Sequence, residues 1–188
     1  MQWHNEPTSW QRTGGVLQVD ADPGTDFWRV TGYGYVRDTG HLYGELAAGD
    51  VEVETVVRGR FHGQYDQAGV MLWADERVWL KTGVEFYSGR LRLSTVLTVG
   101  YSSWMMADLP DDAQEIALSV SRRAEAVQVR YATPGREPEL CAMVHLPPDR
   151  EMLAGVMCAA PESDGFTVSF HDLVIRQPAE RRADQEQG

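Results

Sequence analysis

The dominant pattern along the chain is an alternation of apolar and polar residues over short segments. It is clearest in residues 51–58 and returns in 116–121, 127–131 and 166–171, and this period of two is typical of half-buried strands. No window of a dozen residues keeps helical spacing of apolar positions without an interrupting Gly or Pro. We therefore predict an all-β chain with at most one short helical turn, near residues 110–113.

Proline-containing segments at 110–112, 134–136 and 147–149 separate these strands, and their composition predicts turns between consecutive hairpins. Many short strands without helices favour a two-sheet antiparallel jelly-roll sandwich, in which each sheet buries one face. A length of 188 residues fits one domain. We place that domain at residues 1–176 and expect residues 177–188, which show no apolar pattern, to form a disordered polar tail.

Residues 65–98 predict three antiparallel strands joined by two-residue turns at Asp75-Glu76 and Ser88-Gly89. In a hairpin the position of the turn determines which residues face each other across the two strands. The predicted opposite pairs are Leu72 and Trp79, Val70 and Lys81, Asp66 and Glu85, Glu85 and Arg92, Gly83 and Ser94, and Trp79 and Thr98.

Side chains alternate across a sheet, so this predicted meander has two different faces. The face assigned to the core contains Val78, Leu80, Thr82, Val84, Phe86, Leu91, Leu93, Thr95 and Leu97. The opposite face, the predicted polar band, contains Asp66, Trp79, Lys81, Glu85, Arg92, Ser94 and Thr98. Two interpretations of this band stay open. It is either a solvated face, where each charged cross-strand pair contributes only about 0.2–1 kcal/mol to stability, or a binding site in which the exposed indole of Trp79 packs on a sugar ring.

Charge excludes two classes of partner. The chain has 17 basic and 28 acidic residues and a net charge of −11, which disfavours binding to nucleic acid and to anionic membranes. Residues 1–7 show no secretory signal, and no apolar run reaches the roughly 20 residues that span a bilayer, so we expect a cytoplasmic location. Cys141 and Cys158 lie in apolar stretches and are predicted to be small buried core residues. Whether they are neighbours stays open.

Metal binding has one candidate segment. Asp20, Asp22 and Asp26 fall in a single turn, which leaves calcium and a plain Asx turn as alternatives, with the turn favoured because no bidentate glutamate follows at calcium-loop spacing. His41 and His62 have no metal-ligand spacing, and neither has His171. We expect no metal and no cofactor.

Several motifs occur in an order that resembles a known family. They are Thr25–Arg29, Asp38–His41, Tyr65–Gly69, Trp79–Glu85, Leu93–Thr98 and Tyr101–Trp104. Together they resemble the regulation-of-enolase-protein family, a domain of unknown function, over about residues 1–176. The resemblance implies a β-sandwich similar to concanavalin A-like lectins and glucanases, with the polar band facing the groove of its concave sheet. It brings no established activity.

The leading functional hypothesis is a non-catalytic domain that binds a carbohydrate or a related polar small molecule on this sheet. Trp79 and Trp104 would stack on the ligand, and of the other tryptophans, Trp3, Trp10 and Trp28, we expect some in the core and some in the groove wall. The predicted hydrogen-bonding residues are Asp66, Gln67, Lys81, Glu85, Arg92, Ser94 and Thr98.

Two alternatives use the same sequence differently. In the first, Asp66 and Glu85 form the catalytic pair of a glycoside hydrolase or a lyase, since glycosidases need two carboxyl groups about 5–9.5 Å apart. Cations at Lys81 and Arg92 argue against a proton-donating acid but could suit a lyase or bind an acidic sugar, and the chain lacks the Glu-x-Asp-x-Glu strand of concanavalin A-like glucanases. In the second, the acidic surface binds a basic protein partner.

Overall fold

The computed structural model describes residues 1–110, 113 and 115–178, and its regular elements in that part of the chain are sixteen strands. They are β1 (Gln2–His4), β2 (Ser9–Thr13), β3 (Val16–Ala21), β4 (Phe27–Arg29), β5 (Val36–Asp38), β6 (His41–Ala47), β7 (Val51–Gly59), β8 (Gln67–Asp75), β9 (Val78–Tyr87), β10 (Arg90–Val99), β11 (Tyr101–Asp108), β12 (Glu115–Arg123), β13 (Ala126–Ala132), β14 (Glu139–His145), β15 (Met152–Ala159) and β16 (Phe166–Arg176).

Two seven-stranded antiparallel sheets form the body of the protein. The first sheet has the order β1-β6-β15-β8-β9-β10-β11, and the second has the order β14-β13-β12-β7-β16-β3-β2. Strands β4 and β5 form a separate hairpin. The predicted all-β sandwich of two antiparallel sheets is therefore confirmed. Among the described residues no helix is long and apolar enough to cross a membrane.

The main core lies between the two sheets, where alternate residues of each strand are buried. From β9 and β10, the residues Val78, Leu80, Val84 and Leu93 join it, as the sequence predicts for this face. Inward-facing residues of the second sheet complete it, among them Val120 and Phe170. This burial of one face of each sheet is what holds the two layers together.

The two hairpins of the meander differ in how well the sequence predicts them. The β9–β10 pairing is confirmed, because Glu85 lies opposite Arg92 and Trp79 opposite Thr98. The β8–β9 pairing is wrong by one residue. The turn lies at Glu76 and Arg77, one position later than predicted, and this alone would bring Ala68 opposite Glu85. A β-bulge between Trp73 and Asp75 shifts the pairing back by one residue, so Gln67 rather than Asp66 lies opposite Glu85. A one-residue slip exchanges the two faces of a strand, and Gln67, Met71 and Trp73 therefore point outward.

The predicted turns have different outcomes. Residues 134–136 do join β13 and β14 as a hairpin. Residues 147–149 instead connect β14 of the second sheet to β15 of the first sheet, so the prediction of consecutive hairpins is wrong there. The helical turn near 110–113 includes Asp111 and Asp112, which lie outside the described residues, as does the tail from residue 179 onward. The domain boundary at residue 176 stays a prediction.

The two cysteines lie on different sheets. Cys158 is buried in the main core, as predicted. The prediction that Cys141 is also buried is wrong, since it lies exposed on β14, the outermost strand of the second sheet. An edge strand has neighbours on one side only, which is why an apolar sequence there stays open to solvent.

The β4–β5 hairpin covers part of the first sheet on the side away from the main core. Phe27 and Trp28 of this hairpin pack against outward-facing residues of the sheet and form a second apolar cluster. The sheet residues of this cluster are Leu42, Met71, Trp79, Val96, Leu153, Met157 and Ala159. The outer face of the first sheet is therefore partly covered, and a cleft remains beside the hairpin.

Candidate functional site

The cleft lies where the β4–β5 hairpin meets the outer face of strands β8 to β11. We call it the aromatic cleft, and its lining residues are Asp26, Trp28, Tyr33, Tyr35, Tyr65, Gln67, Lys81, Glu85, Val96 and Trp104. It encloses about 320 Å³ including its open mouth, and only a small part of this space is deep and wide enough to hold a water molecule. Its floor is thus narrow, with room for a few waters or one small polar group of a ligand.

Aromatic rings set at steep angles to one another form the walls. The rings of Trp28 and Trp104 are 6.1 Å apart at 82°, and those of Trp28 and Tyr33 are 5.4 Å apart at 74°. Tyr65 lies 6.0 Å from Trp104 on another side. Tyr33 and Tyr35 stack at the exposed tip of the hairpin, where they are 48% and 37% exposed. The rim therefore offers accessible ring faces to a ligand.

Two residues beside the cleft have left-handed backbone conformations. Val30 has a φ of 65°, and its carbonyl accepts bonds from the amides of Tyr33 and Gly34, which turns the hairpin tip over the cleft. Tyr65 has a φ of 68°, and its amide donates to the carbonyl of Phe86 at 2.7 Å. A positive φ is uncommon for residues other than glycine and costs free energy, most of all for a β-branched residue. The surrounding hydrogen bonds hold both aromatic rim segments in place.

An ion pair lies at one end of the floor. Lys81 Nζ donates to the carbonyl of Phe27 at 2.6 Å and to Asp26 Oδ1 at 3.4 Å. The same Oδ1 accepts bonds from the amide of Phe27 at 2.8 Å and from Gln67 Nε2 at 3.3 Å. Both charged side chains are buried, and these contacts fasten the hairpin to the sheet.

Glu85 forms the other part of the floor and is only 4% exposed. Its Oε2 accepts a bond from Trp104 Nε1 at 3.2 Å, and Trp104 Nε1 also donates to Ser94 Oγ at 3.0 Å. Burial raises the pKa of the Glu85 carboxyl, and the nearby Asp26 charge adds to the rise. Lys81 and the hydrogen bonds from Ser94 and Trp104 oppose it.

This raised pKa predicts a pH dependence of stability. At pH values in the window between the usual glutamate pKa of 4.5 and the raised pKa, the folded protein keeps a proton on Glu85, whereas the unfolded chain has released it. The stability due to this proton is present below the window and is lost as the pH rises through it. We expect Glu85→Gln to gain stability relative to the unsubstituted protein across that window in urea unfolding. Parallel pH profiles of the two proteins would contradict this assignment.

The cleft brings together four of the predicted ligand-binding residues: Gln67, Lys81, Glu85 and Trp104. Ser94 lies directly beside them through its bond to Trp104. The role of these residues in binding stays a prediction. The other predicted residues lie outside the lining of the cleft; they are Asp66, Trp79, Arg92 and Thr98.

Trp79 faces outward as predicted, but it is not exposed. It is 1% exposed, and its ring lies 6.3 Å from Phe27 of the covering hairpin. The expectation that this indole stacks on a ligand is therefore wrong, because the hairpin occupies the space a ligand would need. Trp28 and Trp104 line the cleft, whereas Trp3 packs against the main core and Trp10 is partly exposed.

Asp66 lies outside the cleft, and its predicted position opposite Glu85 is wrong. It precedes β8 and is completely buried. Its carboxylate accepts bonds from the amides of His62 at 3.1 Å and Gly63 at 2.8 Å and from Ser163 Oγ at 2.6 Å. These bonds connect two loops, so the geometry gives Asp66 a structural position and removes it as the partner of Glu85.

Arg92 and Thr98 lie on the same face of the sheet as Glu85 but outside the lining of the cleft. Arg92 pairs with Asp108 on β11. Thr98 is fully buried and its Oγ1 lies 2.8 Å from Ser102 Oγ. Both side chains already have partners within the sheet, which leaves Lys81 as the cation of the floor among the described lining residues.

Six lining residues were not named as ligand-binding from the sequence: Asp26, Trp28, Tyr33, Tyr35, Tyr65 and Val96. All of these except Tyr33 and Tyr35 fall inside the family motifs, which is the signal that could have found them. Tyr33 and Tyr35 lie in a Gly-rich turn without strand alternation, where apolar periodicity gives no information.

The three aspartates considered for calcium point to separate partners. Asp20 bonds to Ser9 and Thr167, Asp22 bonds to Thr8, and Asp26 belongs to the cleft. Within residues 1–110, 113 and 115–178 no group of three or more His, Cys, Asp or Glu side chains is placed to hold a metal ion. Because the three carboxylates bond to separate partners, this arrangement favours an Asx turn over a calcium site.

Comparison with solved structures defines the class of fold. The chain superposes on the GH43 protein BlXynB from Bacillus licheniformis with a TM-score of 0.67 at 14% identity, covering 91% of this chain and 35% of that one. It also superposes on a xylan beta-1,4-xylosidase from Bacillus halodurans with a TM-score of 0.69 at 11% identity, covering 86% and 33%. This is a β-sandwich similar to about one third of each of these enzymes, and the likeness is one of fold.

The family follows from sequence. The model for "Protein of unknown function (DUF1349)" matches residues 3–178. The chain is 32% identical to "Regulation of enolase protein 1" of Saccharomyces cerevisiae over 94% of its length and 89% of that protein. A solved, functionally unknown protein from the same yeast is 32% identical with a TM-score of 0.89, covering 94% and 96%. The chain belongs to the DUF1349 family, which confirms the resemblance identified from its motifs.

Proposed function

We propose that this protein binds a carbohydrate or a related small polar molecule in the aromatic cleft. The observation that carries the proposal is the combination of exposed ring faces at the rim with buried hydrogen-bonding groups at the floor. Sugars present an apolar ring face edged by hydroxyl groups, and sites for small ligands combine apolar walls with a few fixed polar groups. A ligand ring would lie against Tyr33, Tyr35 and Trp104, while one substituent reaches Gln67 and Glu85.

Removal of a rim ring gives the first test. We expect Tyr33→Ala to weaken binding of a sugar ligand about two- to tenfold, since an aromatic contact contributes about 0.5–1.5 kcal/mol. Binding is measured on a glycan array and then by titration with tryptophan fluorescence, because Trp28 and Trp104 line the cleft. Tyr33 is half exposed, so its removal leaves the cores intact.

A matched control is Tyr101→Ala, which removes an exposed tyrosine on the same sheet outside the lining residues. It should leave affinity unchanged. Equal losses in both variants would show that the ligand binds elsewhere. No binding of neutral or acidic glycans at millimolar concentration would count against a carbohydrate ligand.

An enzymatic use of the same cleft is a second proposal, supported by one observation. Glu85 holds its proton to a higher pH than usual, whereas Asp26 is paired with Lys81. Glycosidases use one protonated and one ionised carboxyl group. Asp26 thus replaces Asp66 as the candidate partner of Glu85. Release of reducing ends or unsaturated products that disappears in both Glu85→Gln and Asp26→Asn would support hydrolysis or a lyase reaction.

The likeness to known structures adds only weak support. The neighbours include enzymes described as GH43 and the CBM2 module of a Lactobacillus casei BL23 phage protein, at 7% identity and a TM-score of 0.61. Such likeness concerns the fold, which hosts many functions. Binding of a protein partner stays a prediction from the acidic charge alone, and its test is capture that weakens at high salt while Tyr33→Ala leaves it intact.

A further inference from the structure

The charged groups of the floor do not balance once Glu85 is ionised. Asp26 and Glu85 contribute two carboxyl groups, and Lys81 is the one cation among the described lining residues. The Lys81 ammonium is already engaged by the Phe27 carbonyl at 2.6 Å and by Asp26 at 3.4 Å. No nitrogen of a described Lys, Arg or His lies within 4.0 Å of the Glu85 carboxylate, because Arg92, its neighbour across the strands, pairs with Asp108.

Hydrogen-bond acceptors are also in surplus. The donors that reach Glu85 come from Trp104 and Ser94, although a carboxylate has about four acceptor positions. All three side-chain and backbone donors to Asp26 reach Oδ1, and no described residue donates to its Oδ2. These spare acceptor positions are open to solvent in the cleft rather than sealed inside the protein, so a donor that enters the cleft can reach them.

The rim suits a cation as well as a sugar ring. An ammonium within about 6 Å of an aromatic centroid is attracted by the ring face. Arg37 already lies 4.7 Å above the Tyr35 ring, so this rim does hold a cation against an aromatic face. The faces of Trp28, Trp104 and Tyr65 surround the floor at steep angles. A net charge of −11 attracts cations to the whole surface.

From these observations we infer that the ligand of the aromatic cleft carries a protonated amino group, as an amino sugar does. This inference rests on the proposed function, because it names the chemical class within the carbohydrate ligands. The ammonium would enter the narrow floor, donate to Glu85 and to the open oxygen of Asp26, and leave the ring between the rim aromatics. An acidic sugar would instead place a carboxylate beside two others, a repulsion that Lys81, already paired, does not offset.

The experiment compares matched sugars by calorimetry at about pH 6.5, where an amine is protonated. One set is glucosamine, N-acetylglucosamine and glucose, and the second is the corresponding galactose set, with ethanolamine as an amine without a ring. We expect the amino sugar of at least one set to bind about tenfold more tightly than both neutral counterparts, since charge-assisted hydrogen bonds are about twice as strong as neutral ones.

Two variants test whether the preference for an amino sugar depends on the charge of Glu85 or on the shape of the site. Glu85→Gln keeps the size of the side chain and should bring the affinity ratio of amino to neutral sugar close to one, because the amide carries no charge to pair with the ammonium. The control Glu139→Gln makes the same change in net charge at an exposed position of the second sheet and should keep the preference.

Each outcome decides between the two proposals. Neutral sugars that bind as tightly as the amino sugar, or more tightly, overturn the inference and leave carbohydrate binding in place. Binding of ethanolamine without any sugar supports the amino group and contradicts a carbohydrate ligand. Failure of every compound to bind overturns both. Persistence of the preference in Glu85→Gln would contradict the assignment to this carboxylate.

Discussion

Replacement of Trp79 by alanine is expected to lower the free energy of unfolding by about 3–5 kcal/mol, the usual range for removal of a fully buried tryptophan. Trp79 is 1% exposed and packs under the β4–β5 hairpin against Phe27. Its loss would leave a cavity in the second apolar cluster, in which the hairpin and the first sheet meet. The indole thus fixes the hairpin, and with it the rim of the cleft.

Urea denaturation measures this loss, and two further variants make the test specific. Trp10→Ala, at a partly exposed tryptophan on β2, should cost clearly less. Trp79→Phe keeps an aromatic ring in the cluster and should retain ligand binding, because Trp79 is not a lining residue of the cleft. A loss below about 1 kcal/mol in Trp79→Ala, or binding abolished in a folded Trp79→Phe, would contradict a packing role.

The β9–β10 hairpin shows what a sequence can predict about this fold. Its strands alternate without interruption, and its turn residues Ser88 and Gly89 have φ values of 51° and 82°. Two consecutive positive φ values correspond to the two-residue turn that matches strand twist, and Gly89 favours it. The register therefore follows from the turn, and with it the outward positions of Lys81 and Glu85.

The β8–β9 hairpin shows where such inference fails. Asp75 and Glu76 look like a two-residue turn, yet the turn lies at Glu76 and Arg77, and a bulge beside Trp73 adds one residue to β8. The amide of Arg77 donates to Asp75 Oδ1 at 2.8 Å, a local bond that stabilises this alternative turn. The later turn shifts the pairing by two residues and the bulge shifts it back by one, and this net shift of one residue places Gln67 instead of Asp66 in the site.

The covering hairpin could not be inferred from periodicity. Strands β4 and β5 have three residues each, too few for an alternating pattern, and Phe27 and Trp28 are adjacent yet both buried. Their burial depends on long-range contacts with β9 to β11 that no local pattern encodes. For this reason the sequence identifies the sheet floor of the site, through Lys81, Glu85 and Trp104, but not the wall that turns an open face into a cleft.

Removal of the buried cation of the floor is the second change with a large expected effect. Lys81→Met should lower the free energy of unfolding by about 3–5 kcal/mol, the range found when one partner of a buried ion pair is removed. The side chains of Lys81 and Asp26 are 6% and 7% exposed, so the Asp26 carboxylate would keep little solvent and would lose its cation. The Phe27 carbonyl would lose its 2.6 Å bond as well.

The double variant Asp26→Asn with Lys81→Met distinguishes this cause from poor packing of methionine. An asparagine carries no charge, and its Oδ1 can still accept the bonds from the Phe27 amide and from Gln67. If the uncompensated charge is the main cost, the double variant is more stable than Lys81→Met alone, and a double-mutant cycle measured in urea gives the coupling between the two residues. A double variant as unstable as the sum of the two single losses would show that the pair is not coupled. In that case the hairpin would be held to the sheet by Phe27, Trp28 and Trp79 alone, and the charges of the floor would be free to serve the ligand.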